Sequence, residues 1–529
     1  MSIAAKIVAE KIVVRMYRNL LGDCFLIRIS DADGTHRHVL IDCGLLQGLK
    51  NAKDRMIAVA EDIVATCEGV IDLLVITHEH WDHISGFAQA KDILLNPDRI
   101  TYRNLWMAWT EDPENKDAIG LRTAFEQRKS AVARFALALG ASATRRTSAT
   151  LVDGLDGFIG PFDDADGALG IAPSGRLTGR RILEELKQQA RNVRYLKPGM
   201  VLDTPTEPDG GAALPAAVLG PPVAESRLFK DMPSRGDDKE TYLDEQFLAY
   251  SLLAVDETQD GLAQIDFTSP FPERYWDGLQ VDLGDGDTAR RNDPRWDDAT
   301  DPPRKWFHDH YFAASDDEQR DQSFRRIDGE WLHTASSLAL KLDSDTNNTS
   351  LVLAFRLPDD NFMLFAADAQ VGNWLSWHDQ PYDFGSGPIT AEAILNRTRL
   401  YKVGHHGSHN ATLRGKGVMM MTRHDLVAMV STVEDEAREQ GKSPPGWLMP
   451  NPDVKAALLE RCGGRLIRGD RRWDGDADAA AFGLQPDFAL ALDEASPLYV
   501  DYTIYDATAA TAGGGAAARK KPVRKRKAA

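Results

Sequence analysis

The 529-residue chain reads as an α/β protein built on one elaborated core. Three observations carry that reading: short apolar runs recur along the chain, stretches of helical spacing separate them, and several runs end in histidine or aspartate. The densest such end is IDLLVITHEHWDHISGF, residues 71–87. Residues 73–76 form a short apolar run suited to a buried strand, and His78, His80, Asp82 and His83 follow at once. In extended backbone His78 and His80 leave on the same side, while Asp82 and His83 need a turn into a helix to reach a second point close by.

Composition sets the outer bounds. Hydrophobic residues make up 43% and charged residues 27% of the chain, the balance of a globular protein with room for a large core. The formal charge of −18 gives no general attraction to nucleic acid or to an anionic membrane. Half of it is local, since residues 256–301 hold thirteen acids against four arginines. Cys24, Cys43, Cys67 and Cys462 form no CxxC pair, so neither a disulfide framework nor a zinc ribbon is predicted. Cys24 and Cys43 lie in strand-like runs and read as small buried apolar residues. No apolar run reaches about 18 residues and no leader pattern opens the chain, so the expectation is a cytoplasmic protein without membrane contact.

Taken in order, strand patterns at 11–17, 23–30 and 38–42 predict an opening meander, separated by Gly/Asp turns. Asp42 ends the third strand and reads either as a turn-former or as a buried brace for the histidine loop. Met56, Val59, Ile63 and Cys67 have helical spacing over 52–67, and a helix is expected from the histidine loop to about residue 95. A strand is predicted at 100–112, with Trp106 and Trp109 read as core. Helices are expected at 117–139 and 178–190 around a Gly/Asp-rich loop, and RNVRYLKPGMVLD and LPAAVLGPP return to strand character. The acidic stretch of 232–328 has no long periodicity, yet its aromatic residues argue against outright disorder. Strands then recur at 350–356, in the run ending at Asp368, in RLYKVGHHGSHN, in DLVAMVSTV, in GRLIRGD and in LYVDYTIYD, with helices at 390–397 and in PDVKAALLERC. Seven of the nine residues at 519–527 are basic, with no apolar face, which predicts a disordered tail able to touch phosphate.

Histidine and aspartate without thiolate suit a catalytic zinc or a similar divalent ion better than a structural one. Asp368, alone among acids near its strand tip, could bridge two cations. His405 and His406 leave a later strand in the same manner. The HxHxDH set, as His78-Glu79-His80-Trp81-Asp82-His83, resembles the signature of the metallo-β-lactamase superfamily. The resemblance implies an αββα sandwich, here with a large insertion, and metals held by His78, His80, Asp82, His83, Asp368 and His405. GDCFLI, VLIDCG, NNTSLVLAF and YKVGHHGSHNAT narrow it, over about 10–110 and 335–435, to something similar to the hydrolase domain of ComEC-type DNA-uptake proteins. One departure stands out: DSDTNNTS occupies the place where many members supply a further histidine, leaving Asn347, Asn348 or the distant His333 as substitutes.

The expected organisation is a first half-domain over 1–112, elaborated helices and returning core strands over 113–230, an acidic insertion or lid over 231–330, a second half-domain over 331–506 and a basic tail over 507–529. The expected function is metal-dependent hydrolysis through two divalent ions, zinc first, with manganese or magnesium as alternatives. Asp82 would orient the attacking water, and His406 or His409 would donate to the oxyanion or leaving group. Lys402, His405, His406, His409, Arg414 and Lys416 suggest a positive mouth, hence a phosphodiesterase or nuclease acting on DNA. The alternative is a hydrolase of a small ester, lactone or amide. The acidic insertion is expected to be the point of control by a regulatory protein or protease.

Overall fold

A computed structural model describes residues 9–46, 48–126, 178–205, 212–230, 344–440, 446–483 and 485–508. The acidic stretch, His333, the Gly/Asp-rich loop and nearly all of the basic tail lie outside these residues. The chain divides into two compact units, one of Met1–Trp109, Ile182–Tyr242 and Asn348–Ala529, the other of Thr110–Arg181 and Leu243–Asn347.

The first unit opens with β1 (Lys11–Tyr17), β2 (Cys24–Ser30) and β3 (His36–Cys43), an antiparallel meander as expected. Helix α1 (Ala52–Thr66) buries Met56, Val59, Ala60 and Ile63, the face that the spacing predicted. The chain continues through β4 (Val70–Ile71), β5 (Leu73–Val75), α2 (Trp81–Gln89), α3 (Lys91–Leu94), β6 (Thr101–Tyr102) and β7 (Asn104–Ala108). After a helix at Gly179–Gln189 come β8 (Asn192–Leu196), β9 (Val201–Asp203) and β10 (Pro215–Gly220). The later strands are β11 (Val352–Arg356), β12 (Phe362–Phe365), the short pair β13 (Tyr382–Asp383) and β14 (Pro388–Ile389), β15 (Thr398–Lys402), β16 (Val427–Val430), β17 (Leu466–Arg468), β18 (Leu492–Asp493) and β19 (Tyr499–Asp506).

Two large sheets result, in the orders β18-β19-β1-β2-β3-β5-β7-β8 and β17-β16-β15-β12-β11-β10-β9. Their inner faces share one apolar core, to which alternate residues contribute, Val39 and Ile41 of β3 for example. Phe25 and Phe365 meet edge to face across it with ring centroids 5.7 Å apart. Helices α1 and α2 cover the outer face of the first sheet, and Pro452–Cys462 covers β16 and β17 on the second. This is the expected αββα sandwich.

The strands do not divide between sheets in chain order. RNVRYLKPGMVLD splits, β8 joining the first sheet and β9 the second. The final strand β19 pairs antiparallel with β1 and so closes the first sheet, although its position in the sequence suggested the second half. Trp106 and Trp109 are buried, as core residues should be. In the second unit, Asn115 Oδ1 accepts the N–H groups of Asp117 (3.0 Å) and Ala118 (3.3 Å) to start a helix, and the Arg122 guanidinium closes on the carbonyls of Thr110 (2.6 Å) and Asp112 (3.1 Å).

Candidate metal centre

In each sheet several strands run parallel: β3, β5, β7 and β8 in the first, and β12, β15, β16 and β17 in the second. The carboxyl ends of such strands are where an α/β fold places its polar loops. Here the loops after β3, β5, β12, β15 and β16 converge on one buried group of acids and imidazoles.

The first sheet contributes a loop stiffened at both ends. The His80 carbonyl accepts the N–H groups of His83 (3.0 Å) and Ile84 (3.2 Å), so α2 begins immediately and places Asp82 in its first turn. Asp42 ends β3 with a left-handed φ of 54°. Its Oδ1 accepts the Thr77 N–H (2.8 Å), while its Oδ2 accepts the Thr77 hydroxyl (2.6 Å) and the His83 Nδ1–H (2.8 Å). That brace leaves His83 Nε2 facing the acids, 3.1 Å from Asp368 Oδ2 and 3.7 Å from Asp82 Oδ2. Thr77 Oγ1 (3.0 Å) and Ser350 Oγ (3.4 Å) approach His78 Nδ1 and so aim its Nε2 inward. Two glycines complete the seat: a Cβ at Gly22 would lie 2.6 Å from the Asp82 carbonyl oxygen, and one at Gly44 would lie 2.5 Å from the His83 nitrogen.

The second sheet contributes single residues. Asp368 follows β12; its N–H donates to Ser350 Oγ (3.3 Å) and its Oδ1 accepts the His405 N–H (3.0 Å). After β15 the chain enters consecutive left-handed conformations at His405 (φ 43°), His406 (φ 53°) and Gly407 (φ 81°), a strain typical of functional turns. The Ser408 hydroxyl donates to Asn410 Oδ1 (2.8 Å) and therefore accepts from His405 Nδ1 (3.1 Å). His406 Nδ1 donates to the Ser431 carbonyl (2.6 Å), and its Nε2 stands 2.8 Å from Asp82 Oδ2.

Electrostatics sort these groups by role. Burial lowers the pKa of His78 far below its ordinary value and that of His80 to about 4, helped by neighbouring imidazoles; both are neutral, the form that binds metal. Burial also lowers His405. For His83 and His406 burial acts in the same direction but is outweighed, by Asp368 and other carboxylates for His83 and by Asp82 for His406, so both are raised. Burial would raise Asp82 and Asp368, yet His83 and its fellow histidines hold both well below the usual carboxylate range. The carboxylates thus favour the charged form of His83 and His406, in a cluster whose negative charge a cation would equally offset.

Among the described residues, three overlapping sets of potential ligand atoms each fit within 4.8 Å: His78, His80 and Asp368; Asp23, His83 and Asp368; and Asp82, Asp368 and His406. His78 Nε2 and Asp82 Oδ1 are buried and form no hydrogen bond, which fits atoms reserved for a metal. His406 completes the set with Asp82 and Asp368, a place the sequence reading gave first to His405 and alternatively to His406; His405 bonds Asp368 through its backbone N–H. His409 is half-buried and belongs to none of these sets. Asn348 is committed elsewhere, because its Oδ1 accepts the Asn373 N–H (3.3 Å) and its Nδ2 donates to the Lys230 carbonyl (3.1 Å). Asn347 falls in the second unit.

Two residues carry more than the sequence reading gave them. Asp23, read only as part of GDCFLI, joins the cluster; acids in a Gly-Asp turn usually form turns, and nothing in the spacing set it apart. Lys402, read as part of a positive mouth, is buried and ion-paired with Asp23; His405 and His406 are buried too, so none of the three lines a mouth.

An αββα sandwich whose two sheets close on a buried His/Asp cage has the architecture of a metal-dependent hydrolase. In agreement, the family model of the metallo-beta-lactamase superfamily matches residues 17–161, a span that includes Asp23, Asp42 and the whole of 78–83. No curated protein and no solved structure matches the chain. Among the described residues no helix is long and apolar enough to cross a membrane.

Proposed function

We propose that the protein is a metal-dependent phosphodiesterase, a nuclease acting on DNA. The observation that carries its hydrolytic part is the convergence of the ligand sets on Asp368, with His78 and His80 on one side and Asp82 and His406 on the other. Two divalent ions held there, zinc first and manganese or magnesium next, would make a water acidic near neutral pH and offset charge on an attacked phosphoryl group.

Around them the chain does the orienting. His78 and His80 present neutral imidazoles, Asp42 and Thr77 fix the ring of His83, and the Ser431 carbonyl fixes that of His406. In this reading Asp82 both ligates and accepts the proton that orients the water, and His406 serves as a ligand. His409, kept neutral by partial burial, offers an N–H to the leaving oxygen. Phosphodiester is favoured over carboxylic ester by two features: the similarity of GDCFLI and YKVGHHGSHNAT to ComEC-type hydrolase domains, and the exposed Arg414 and Lys416 in the loop after His409.

The test incubates purified protein with zinc or manganese and linear, circular and single-stranded DNA, and in parallel with bis-p-nitrophenyl phosphate and a panel of lactones and esters. The expected outcome is cleavage of DNA and of the model diester, abolished by chelation and by Asp82→Asn. Turnover of lactones or esters with no cleavage of either diester overturns the phosphodiesterase reading.

A further inference from the structure

Lys402 is the most unusual residue of this centre. It ends β15, is only 2% exposed, and faces the buried carboxylates of Asp23 and Asp368, with the buried Asp42 adding to the same negative field. A lysine is almost never fully buried without a charged partner. Its Nζ pairs with Asp23 Oδ2, lies 3.7 Å from Asp368 Oδ1 and donates to the Ala367 carbonyl at 3.3 Å. Asp23 belongs to the first sheet, at the start of β2, and its backbone is equally committed: its N–H donates to the Asp82 carbonyl (3.0 Å) and its carbonyl accepts the Gly44 N–H (3.0 Å). The ion pair therefore crosses between the sheets beneath the histidine loop.

Taken by ligand type alone, Asp23, His83 and Asp368 form a third potential cation site. Two of its members already face an ammonium, and the third has Nδ1 committed to Asp42. We infer that Lys402 is a built-in cation of the metal centre: seated between Asp23 and Asp368, it keeps Asp23 off the metals and confines the ions to the two sets that lack Asp23. Lys402 and Asp23 are then positioning residues. One oxygen of Asp368 is held by the ammonium and the His405 N–H, and the other is left for metal.

The inference rests on metal binding at this centre and not on the substrate. Metal content and affinity are measured by equilibrium dialysis with elemental analysis, using zinc or manganese alone, on the full chain and on Asp23→Asn, Lys402→Met and the double variant. The wild type is expected to take up two ions. The double variant, which removes both charges together, should also take up two, with affinities within about threefold of wild type. Lys402→Met alone strands a buried carboxylate; its metal-free melting temperature should fall by about 5 °C, and it should recover that loss while taking up one additional ion. A double variant that loses one of the two ions shows Asp23 to be a ligand and overturns the inference, and so does a Lys402→Met protein that gains no ion. Wild-type protein that takes up no ion overturns the metal reading itself, and is thereby distinguishable from both.

Discussion

The first sheet delivers His78, His80, Asp82 and His83 from one turn at the end of β5, whereas the second delivers Asp368 and His406 singly, from the ends of β12 and β15. The turn from 78 to 83 has no left-handed residue, because α2 starts at once and its hydrogen bonds hold the loop. On the other sheet Ala367, His405 and His406 all have positive φ, a conformation costing about 1–3 kcal/mol per non-glycine residue and sustained only by surrounding contacts. Helix initiation holds the backbone of one half from local sequence, with Asp42 and Ser350 bracing the rings of His83 and His78 from outside the turn. The other half is rigid because Ser350, Ser431 and Lys402 reach it from elsewhere.

The sharpest way to break that comparison is at the residue both halves share. Asp368→Asn removes a ligand from every set at once, and metal content should approach zero while hydrolytic turnover falls by about a thousandfold or more. His78→Ala touches one set only and should leave part of the metal in place. If Asp368→Asn retains both ions, the two halves act independently.

A second probe isolates the first sheet from the centre. On β3, burial lowers the pKa of His38 from 6.5 to about 4, with Asp72 opposing. The unfolded chain therefore binds a proton near pH 6.5 that the folded chain refuses until about pH 4. Stability must fall as pH drops through that window, by roughly 3 kcal/mol, and level off below it. Urea midpoints of wild type and His38→Leu at pH 7, 5.5 and 4 should diverge by that amount; parallel curves would show that His38 is protonated in the folded state.

The mildest probe is Asp42→Asn. It keeps the shape of the brace but changes its charge and hydrogen bonding toward His83 and Thr77, and should cost about 10–100-fold in metal affinity. A larger loss than in Asp368→Asn would move the organising acid from the second sheet to the first.

The same contrast explains what could be read from sequence. The strands at 11–17, 23–30 and 38–42 and the helix at 52–67 were legible because local alternation and helical spacing coincide with burial. The His/Asp cluster at 78–83 was legible because one strand end carries all four residues. Asp368 stood out as the acid at a strand tip. The choice between His405 and His406 was not legible, since two successive left-handed residues decide which ring turns inward and nothing local announces them. Lys402 read as a surface base because its partner lies 379 positions earlier, on another sheet. The assignment of β19 to the first sheet depended on a pairing still more distant in sequence.

Gly22 and Gly44 carry no functional group, yet they press on the peptide units of Asp82 and His83 from two directions. A saturation library scored for hydrolysis should therefore show tolerance at these positions as narrow as at the histidines themselves. Anyone grafting this centre onto another scaffold would have to carry both along, because the space they leave vacant sets how deeply the histidine loop can sit.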